Sequence, residues 1–338
     1  MNRVAIVVVN YKGIEDTRRC LASLAKQTYK NFTIIAVENG SDDGSAEAFK
    51  RLEKKYGDTL VAFYNEKNTG FDGGVNTGIR WAMNHNMEYV LLLNNDALPD
   101  KEWVQKLVET ADERPDCGMV TGLLLLQDGL MIDSTGDWYS KWGLGFPRNR
   151  HDKTEQAPEA GEVFGGTGGA TLFRLGMLNE IGMFDEDFFA YYEDVDISFR
   201  AQLAGWKVYY QPAAIAYHQQ GATAARMPGH FAVYQTFKNL PLIYGKNVPR
   251  GLLFSIGSRF LLAYILMLGN AIWKGRGKAA LKGWLMSMPL FWKKLFTERP
   301  SIQANKKVST DYIRSIIWPD LPPDQTGLRK LRRFFTGK

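Results

Sequence analysis

Short apolar runs alternate with helical patterns through the first 120 residues, and this alternation restricts the fold more than any other feature of the chain. The arrangement predicts an α/β domain built on a largely parallel sheet, in which ligands bind beyond the carboxyl ends of the strands. The predicted strands are Arg3–Asn10, Phe32–Glu38, Val61–Asn65 and Tyr89–Leu93, and the predicted helices are Glu15–Lys26, Ser45–Tyr56, Val75–Asn84 and Lys101–Glu113.

Less regular sequence follows this first region. Residues 127–162 are rich in glycine, tryptophan and charge, and they predict a long loop or a small excursion of the sheet. Beyond them we expect a glycine-dense strand at Val163–Phe173, a helix that ends at Ala204, and a strand at Lys207–Gln211.

The two parts of the chain differ in charge. From Lys246 to the end there are 18 Lys and Arg against 4 Asp and Glu, whereas the preceding residues hold 24 against 32. Apolar runs, chiefly Gly251–Trp273, are interleaved with the basic residues of the second part. We therefore predict a catalytic domain at residues 1–245 and a helical region at residues 246–338 that associates with an anionic membrane surface.

Two other interpretations of the basic region stay open. A nucleic-acid arm would also be basic, but the Trp, Phe and Leu among the charges favour a lipid surface, and we expect no nucleic-acid partner. Gly251–Trp273 is long enough to span a membrane. Arg259 and Asn270 would be costly inside a bilayer, so helices that lie in the membrane interface are favoured.

The N-terminus and the cysteines predict the compartment. The apolar run Val4–Val9 is too short for a signal peptide and lacks a small-residue cleavage site. Cys20 and Cys117 lie far apart and in no metal-ligand spacing, so two reduced thiols are expected. These features predict a cytoplasmic protein attached peripherally to the inner face of the cell membrane.

Polar residues at the predicted strand ends are the first candidates for binding. Tyr11 offers a surface for a nucleotide base and Glu38 an acceptor for its N–H, although either residue could belong to an ordinary surface loop. The glycine-rich stretch from Asn68 to Gly78 runs into a predicted helix, whose free N–H groups suit a phosphate. Turn formation alone also explains those glycines, and the lysine of a P-loop is absent.

Carboxylates are the candidates for metal binding and catalysis. Asp96 follows a buried strand, where a carboxylate can hold Mg²⁺ on a diphosphate, although it could instead cap the next helix. Acidic and aromatic residues are mixed between Phe184 and Arg200, and burial there would raise carboxyl pKa values and suit one carboxylate as a general base. Composition alone assigns no role to His218.

Together these segments resemble the inverting glycosyltransferases of family 2, which have the GT-A nucleotide-sugar fold, and most of all the bacterial rhamnosyltransferase-like branch of that family. The resemblance covers roughly residues 3–222 and rests on motifs that recur in order. They are Val8-Val9-Asn10-Tyr11, Val37–Ser45, Asn68–Gly78, Leu93–Asp96, Gly182–Phe189, Glu193–Asp196 and Pro212–His218.

The resemblance implies a role for each matching residue. Asp194 is implied as the general base, with Glu193 beside it. Asp96 matches the last acid of the Asp-x-Asp metal motif, and His218 matches a histidine that in some members also binds the Mg²⁺ or Mn²⁺ ion. The residues implied in binding the donor are Val9, Asn10, Tyr11, Glu38, Asn68, Gly70, Gly74, Asn76, Asn95 and Arg200.

The implied function is transfer of a sugar with inversion, for cell-surface polysaccharide assembly. The sugar would be a deoxyhexose such as rhamnose, the donor a dTDP- or UDP-linked sugar, and the acceptor a glycan or a polyprenyl-diphosphate-linked glycan. Two residues depart from the family pattern, because the metal motif reads Asn94-Asn95-Asp96 and Glu38 stands where Asp is usual. The alternative is a catalytically inactive, membrane-bound glycan-binding or scaffold member of the same fold.

Overall fold

Strands and helices alternate around one central sheet in the computed structural model, which describes residues 3–219, 227, 229–323, 325 and 327. The strands are β1 Val4–Asn10, β2 Phe32–Asn39, β3 Leu60–Asn65, β4 Tyr89–Leu93, β5 Ala97–Pro99, β6 Cys117–Leu126, β7 Ile132–Ser134, β8 Asp137–Tyr139, β9 Gly145–Pro147, β10 Gly161–Val163, β11 Ala170–Arg174 and β12 Lys207–His218. The helices are α1 Ile14–Leu24, α2 Ser45–Tyr56, α3 Gly70–Asn84, α4 Trp103–Glu113, α5 Leu175–Ile181, α6 Glu193–Leu203, α7 Phe231–Asn247, α8 Arg250–Trp273, α9 Gly277–Thr297, α10 Arg299–Ala304 and α11 Thr310–Ile316.

The sheet is parallel in its N-terminal half and mixed beyond it. Its strand order is β10-β12-β6-β11-β4-β1-β2-β3, with β5 beside β12 and β7 beside β6. Strands β3, β2, β1 and β4 are parallel, as predicted. Strand β11 is antiparallel to both of its neighbours, β4 and β6, and β8 and β9 form a separate antiparallel ribbon.

Strand β1 is apolar along almost its whole length because helices cover both faces of the sheet. Val4, Ile6 and Val8 pack in the same buried cluster as residues of α1 and α4. Ala5 and Val7 point the other way, into a cluster that includes α3. The alternation therefore builds one core on each side of the sheet.

The structure corrects the sequence prediction at several elements. The predicted strand Val163–Phe173 is two strands, β10 and β11, because its glycines form a loop that enters the candidate site. Strand β6 was not predicted at all. Helix α3 begins at Gly70, five residues before the predicted start, and β12 continues past Pro212 to His218 through a bulge.

The predicted excursion of the sheet at residues 127–162 is present. It contributes β7 to the edge of the sheet and the β8–β9 ribbon beside it. The excursion also supplies two acidic side chains, Asp133 and Asp137, to the candidate site.

The C-terminal helices share a core with the preceding residues. The predicted division at residue 245 falls inside helix α7. Phe188 and Phe199 are buried together with Leu252 of α8 and Ile313 of α11. The division into two domains at residue 245 remains a prediction. The described residues before and after residue 245 are packed against each other.

A buried ion-pair cluster reinforces this contact. Lys246 Nζ lies 2.6 Å from Asp185 and 3.1 Å from Asp196, and Lys294 Nζ lies 2.7 Å from Asp185. Both lysine side chains are only 2% exposed. Burial alone would raise the pKa of Asp185, but the charges of Lys246 and Lys294 hold this pKa below its usual range. Two of the basic residues of the C-terminal region therefore form buried ion pairs and are not available to a membrane surface.

We expect Lys246→Met to lower the free energy of unfolding by about 3–5 kcal/mol, because it leaves Asp185 and Asp196 with less compensation in a buried site. Urea unfolding followed by circular dichroism measures the change. The matched control is Lys293→Met, which also removes one positive charge but from a side chain that is 55% exposed, so its effect should stay within about 1 kcal/mol. Equal losses in the two variants would contradict the role given to the buried cluster.

Candidate active site

A cavity of about 590 Å³ lies at the carboxyl ends of β1, β2 and β4, where the sequence places its polar clusters. Residues that line it come from both the sheet and the C-terminal helices. Nine of the predicted site residues are among them: Val9, Tyr11, Asn68, Gly70, Asn95, Asp96, Glu193, Asp194 and His218. The predicted residues outside this lining are Asn10, Glu38, Gly74, Asn76 and Arg200.

The first turn of helix α6 presents two carboxyl groups to the cavity. Asp194 Oδ2 accepts a hydrogen bond from the N–H of Gly168 at 3.2 Å, and Oδ1 accepts one from the N–H of Val195 at 2.8 Å. Burial raises the pKa of Asp194, and these two hydrogen bonds partly oppose the rise. Burial and the nearby charge of Asp194 also raise the pKa of Glu193. A raised carboxyl pKa is suited to accepting a proton near neutral pH.

Asp137 is a further acid beside Asp194 that the sequence did not identify. It lies on β8, lines the cavity and forms a side-chain hydrogen bond with Asp194. Burial and the charge of Asp194 raise the pKa of Asp137 well above its usual value. A carboxyl group whose pKa is raised this far favours its neutral, protonated form, which places the negative charge of the pair on Asp194.

Asp96 and His218 meet at another part of the same cavity. The Nε2 atom of His218 lies 3.0 Å from Oδ1 of Asp96. Neighbouring ligands of an octahedral ion with bonds of about 2.1 Å are also about 3 Å apart, so the two side chains fit Mg²⁺ or Mn²⁺ without moving far. The imidazole and the carboxylate are both suitable ligands for Mn²⁺.

Asp133 orients the ring of His218 through the nitrogen that does not face Asp96. Its Oδ2 atom lies 2.6 Å from Nδ1 of His218, and its Oδ1 atom lies 2.9 Å from the guanidinium of Arg150. Burial lowers the pKa of His218, but the hydrogen bonds to Asp133 and Asp96 outweigh it and raise the pKa to about 9. A metal ion that binds Nε2 would replace the proton on that nitrogen, and the carboxylate at the second ring nitrogen would direct Nε2 toward the ion, as in many metal-binding histidines.

A second group of acids is a weaker candidate for a metal. Carboxyl oxygens of Asp185, Asp187 and Glu298 lie within 4.8 Å of one another. However, Lys294 Nζ lies among them, at 2.7, 2.7 and 2.6 Å respectively. The ammonium group already neutralises these carboxylates, so the cluster has the chemistry of an internal ion pair.

Glu38 and Asn10 shape the strand ends that border the cavity. Glu38 accepts hydrogen bonds from the N–H groups of Gly40 and Ser41 at 3.1 and 3.0 Å. Asn10 accepts one from the hydroxyl of Thr17 at 2.8 Å. Both side chains are buried, and these contacts hold the loops after β1 and β2.

The glycine-rich helix start has a packing role. A Cβ atom on Gly74 would lie 2.6 Å from Cγ1 of Val9, so the missing side chain lets α3 approach β1 closely. Asn76 Nδ2 donates to the carbonyl of Phe184 at 2.9 Å, and Asn76 Oδ1 accepts from the N–H of Phe184 at 3.1 Å. Arg200 donates to Asp196 at 2.9 Å and to the carbonyl of Met183 at 2.9 Å.

Aromatic side chains line the remainder of the cavity. They come from several elements, and the sequence analysis singled out only one of them as a binding residue. They are Tyr11, Phe71, Phe146, Phe189, Tyr191, Tyr192 and Phe231. Aromatic faces of this kind suit the stacking of a base or of the apolar face of a sugar ring.

Comparison with known sequences identifies relatives over the same residues. A family model described as glycosyltransferase like family 2 matches residues 2–234. An N-acetylglucosaminyl-diphospho-decaprenol L-rhamnosyltransferase of Mycobacterium tuberculosis is 26% identical over 260 residues, which are 68% of this chain and 80% of that relative. The low-salt glycan biosynthesis hexosyltransferase Agl10 of Haloferax volcanii is 24% identical over 261 residues, which are 74% of this chain and 79% of that relative.

Comparison with solved structures supports the same fold. The mannosyltransferase from Pyrobaculum calidifontis in complex with GDP-Man and Mn²⁺ has a TM-score of 0.54 at 17% identity, over 93% of this chain and 85% of that one. GalNAc-T7 with UDP, GalNAc and Mn²⁺ has a TM-score of 0.53 at 17% identity. The match covers 64% of this chain and 42% of the GalNAc-T7 chain. The predicted GT-A fold is therefore confirmed.

We expect Asp133→Asn to weaken the binding of Mn²⁺ by about 10–100-fold, because an amide holds the His218 ring less firmly than a carboxylate does. Titration of Mn²⁺ alone, followed by electron paramagnetic resonance, measures the affinity. Asp128→Asn is the matched control, since it makes the same change at an exposed position of the same excursion. An unchanged affinity in Asp133→Asn would separate Asp133 from the ligand set.

Proposed function

From the premise that this chain belongs to the glycosyltransferases of family 2, we propose that it transfers a deoxyhexose, such as rhamnose from dTDP-rhamnose, with inversion. The acceptor is a hydroxyl group of a glycan or of a polyprenyl-diphosphate-linked glycan. The observation that carries this proposal is that Asp194 and the Asp96–His218 pair line one cavity from different elements. A base and an ion site that face the same space are what one displacement at a sugar carbon requires.

Asp194 takes the acceptor proton as the hydroxyl group attacks the anomeric carbon from the face opposite the nucleotide. Its raised pKa favours this step, and the N–H groups of Gly168 and Val195 hold the carboxylate in place. One displacement needs one base, whereas the retaining scheme of glycosidases needs a carboxylate nucleophile as well. Tyr11, which follows β1 and lines the cavity, would stack on the nucleotide base.

Asp96 and His218 would hold Mg²⁺ or Mn²⁺, which when bound supplies positive charge to the diphosphate leaving group. The sequence motif offers a single carboxylate here, and His218 on β12, whose Nε2 atom lies 3.0 Å from Asp96, would be a second ligand. The ligand set is thus more complete than the motif alone indicates. This favours an active transferase over the inactive glycan-binding alternative.

The exposed apolar residues of α8 and α9 support attachment to a membrane. On α8 they form one stripe, with Phe254, Leu261, Ile265 and Ile272 among its members, and on α9 a second stripe includes Leu281, Leu285, Met288, Trp292 and Phe296. The exposed basic residues next to these stripes are Lys274, Arg276, Lys278 and Lys282. Such a surface suits an interface that contains anionic lipids.

Helix α8 is long and apolar enough to cross a membrane, with 24 residues and a mean hydropathy of 1.8. Its opposite face is packed on the protein, because Leu252, Ile256 and Phe260 are buried. A spanning helix would have to give up these contacts. We therefore propose that α8 and α9 lie in the interface at the cytoplasmic face, close to a lipid-linked acceptor.

We expect Asp194→Asn to lower kcat by about 10²–10⁴-fold, because a neutral amide cannot accept the proton. The dissociation constant of the nucleotide sugar should change little, and isothermal titration calorimetry checks this. Glu193→Gln is the paired variant, and its loss of kcat should be smaller. If Asp194→Asn retains near-normal turnover while Glu193→Gln does not, the base is Glu193.

We expect the double variant Leu261→Ser/Leu285→Ser to bind anionic vesicles about 10²–10⁴-fold less tightly, since each leucine that is buried in the lipid contributes about 1.5–3 kcal/mol. Co-sedimentation with vesicles of phosphatidylglycerol and phosphatidylcholine measures the binding. Leu130→Ser is the matched control, because Leu130 is 64% exposed, close to the 61% of Leu261, but lies in the excursion. Undiminished binding of the double variant would place the membrane contact elsewhere.

A further inference from the structure

The chain that leads into the proposed base has an unusual backbone conformation. In the segment Asp185–Asp194, which we call the base segment, Phe189, Tyr191 and Tyr192 have φ angles of 66°, 68° and 72°. Side chains other than glycine rarely adopt this left-handed region, which costs roughly 1–2 kcal/mol per residue. Such a turn persists only where its surroundings hold it.

Two adjacent residues of helix α7, Lys238 and Asn239, stabilise this turn by hydrogen bonds to its backbone carbonyl groups. Asn239 Nδ2 lies 3.0 Å from the carbonyl oxygen of Phe188, 2.9 Å from that of Ala190 and 2.7 Å from that of Tyr191. Lys238 Nζ lies 3.0 Å from the oxygen of Phe188 as well. The side chain of Asn239 is fully buried, so water cannot replace its hydrogen bonds.

The base segment is also held from the opposite side. The N–H of Phe71 donates to the carbonyl of Phe189 at 2.6 Å. A Cβ atom on Gly70 would lie 2.3 Å from that same carbonyl oxygen, and Gly70 has a φ angle of 78°. The turn therefore lies between α7 and the glycine-rich start of α3, and helix α6 begins directly after it at Glu193.

We propose that Asn239 is a positioning residue for glycosyl transfer. Its amide donors fix the turn at Phe189–Tyr192, which contains the three left-handed residues, and this turn sets the direction in which Glu193 and Asp194 enter the cavity. Asn239 itself is not among the residues that line the cavity. The inference rests on the proposed function, because it concerns the placement of the proposed base.

The donor capacity of the side chain is the property that matters. Leucine has nearly the same shape as asparagine but no N–H group, so Asn239→Leu leaves the three carbonyl groups without this donor. The turn would then relax and displace Asp194. A misplacement of about 1 Å in a reacting group can cost about 10²-fold in rate.

The test compares Asn239→Leu with Gln202→Met in the full-length protein. Gln202 is also buried, and its Nε2 atom donates to the carbonyls of Val163 and Phe164 at 3.1 and 3.0 Å, away from the cavity. Both variants should lower the melting temperature. Only Asn239→Leu should lower kcat, by about 10²-fold, with the dissociation constant of the nucleotide sugar within threefold of the wild type.

The outcomes separate this proposal from the proposed function. If the folded Asn239→Leu variant keeps a kcat within threefold of Gln202→Met, the positioning role is overturned. If the wild type transfers no sugar from any nucleotide donor, the proposed function fails instead. Should Asn239→Leu not fold, Asn239→Ser, which retains one donor, takes its place. A lower kcat with unchanged donor affinity then supports the proposal, and an unchanged kcat overturns it.

Discussion

The contact between helix α7 and the base segment is the interaction on which the rest of the site depends. Lys246 neutralises two buried acids at one end of this contact, and Asn239 donates to three carbonyl groups of the base segment at the other. The base segment carries strained backbone that its own sequence does not favour. Its conformation is therefore set by a helix that lies about 50 residues further along the chain. The proposed catalytic residues are consequently packed against the C-terminal helices.

Much of the first half of the fold could be predicted from the sequence. Continuous apolar runs such as Tyr89–Leu93 are buried on both faces of the sheet, and a polar residue after such a run marks the edge where ligands bind. The positions of Asp96 and Asp194 in the cavity follow from this rule and from the order of the family motifs. The apolar runs and the family motifs are both local patterns, so they can be recognised in the sequence without knowledge of tertiary contacts.

The rest of the site depends on contacts between distant residues. Asp133 reaches His218 across 85 positions, and its segment carries only weak periodicity, so no local pattern marks either Asp133 or Asp137. Arg200 illustrates the converse. The family resemblance implies a role for it in donor binding, whereas in the structure its guanidinium donates to Asp196 and to backbone carbonyls. A residue type identifies what a side chain can bind, whereas the fold decides which partner it meets.

The central claim is a single displacement at the anomeric carbon, with Asp194 as the base. Proton NMR of the product of the wild-type enzyme, made from a panel of nucleotide sugars and a synthetic polyprenyl-diphosphate-linked acceptor, tests this claim directly. The one-bond coupling constant between C1 and H1 and the chemical shift of the anomeric proton report the configuration of the new bond. The account predicts a configuration opposite to that of the donor. A product with the configuration of the donor would contradict it.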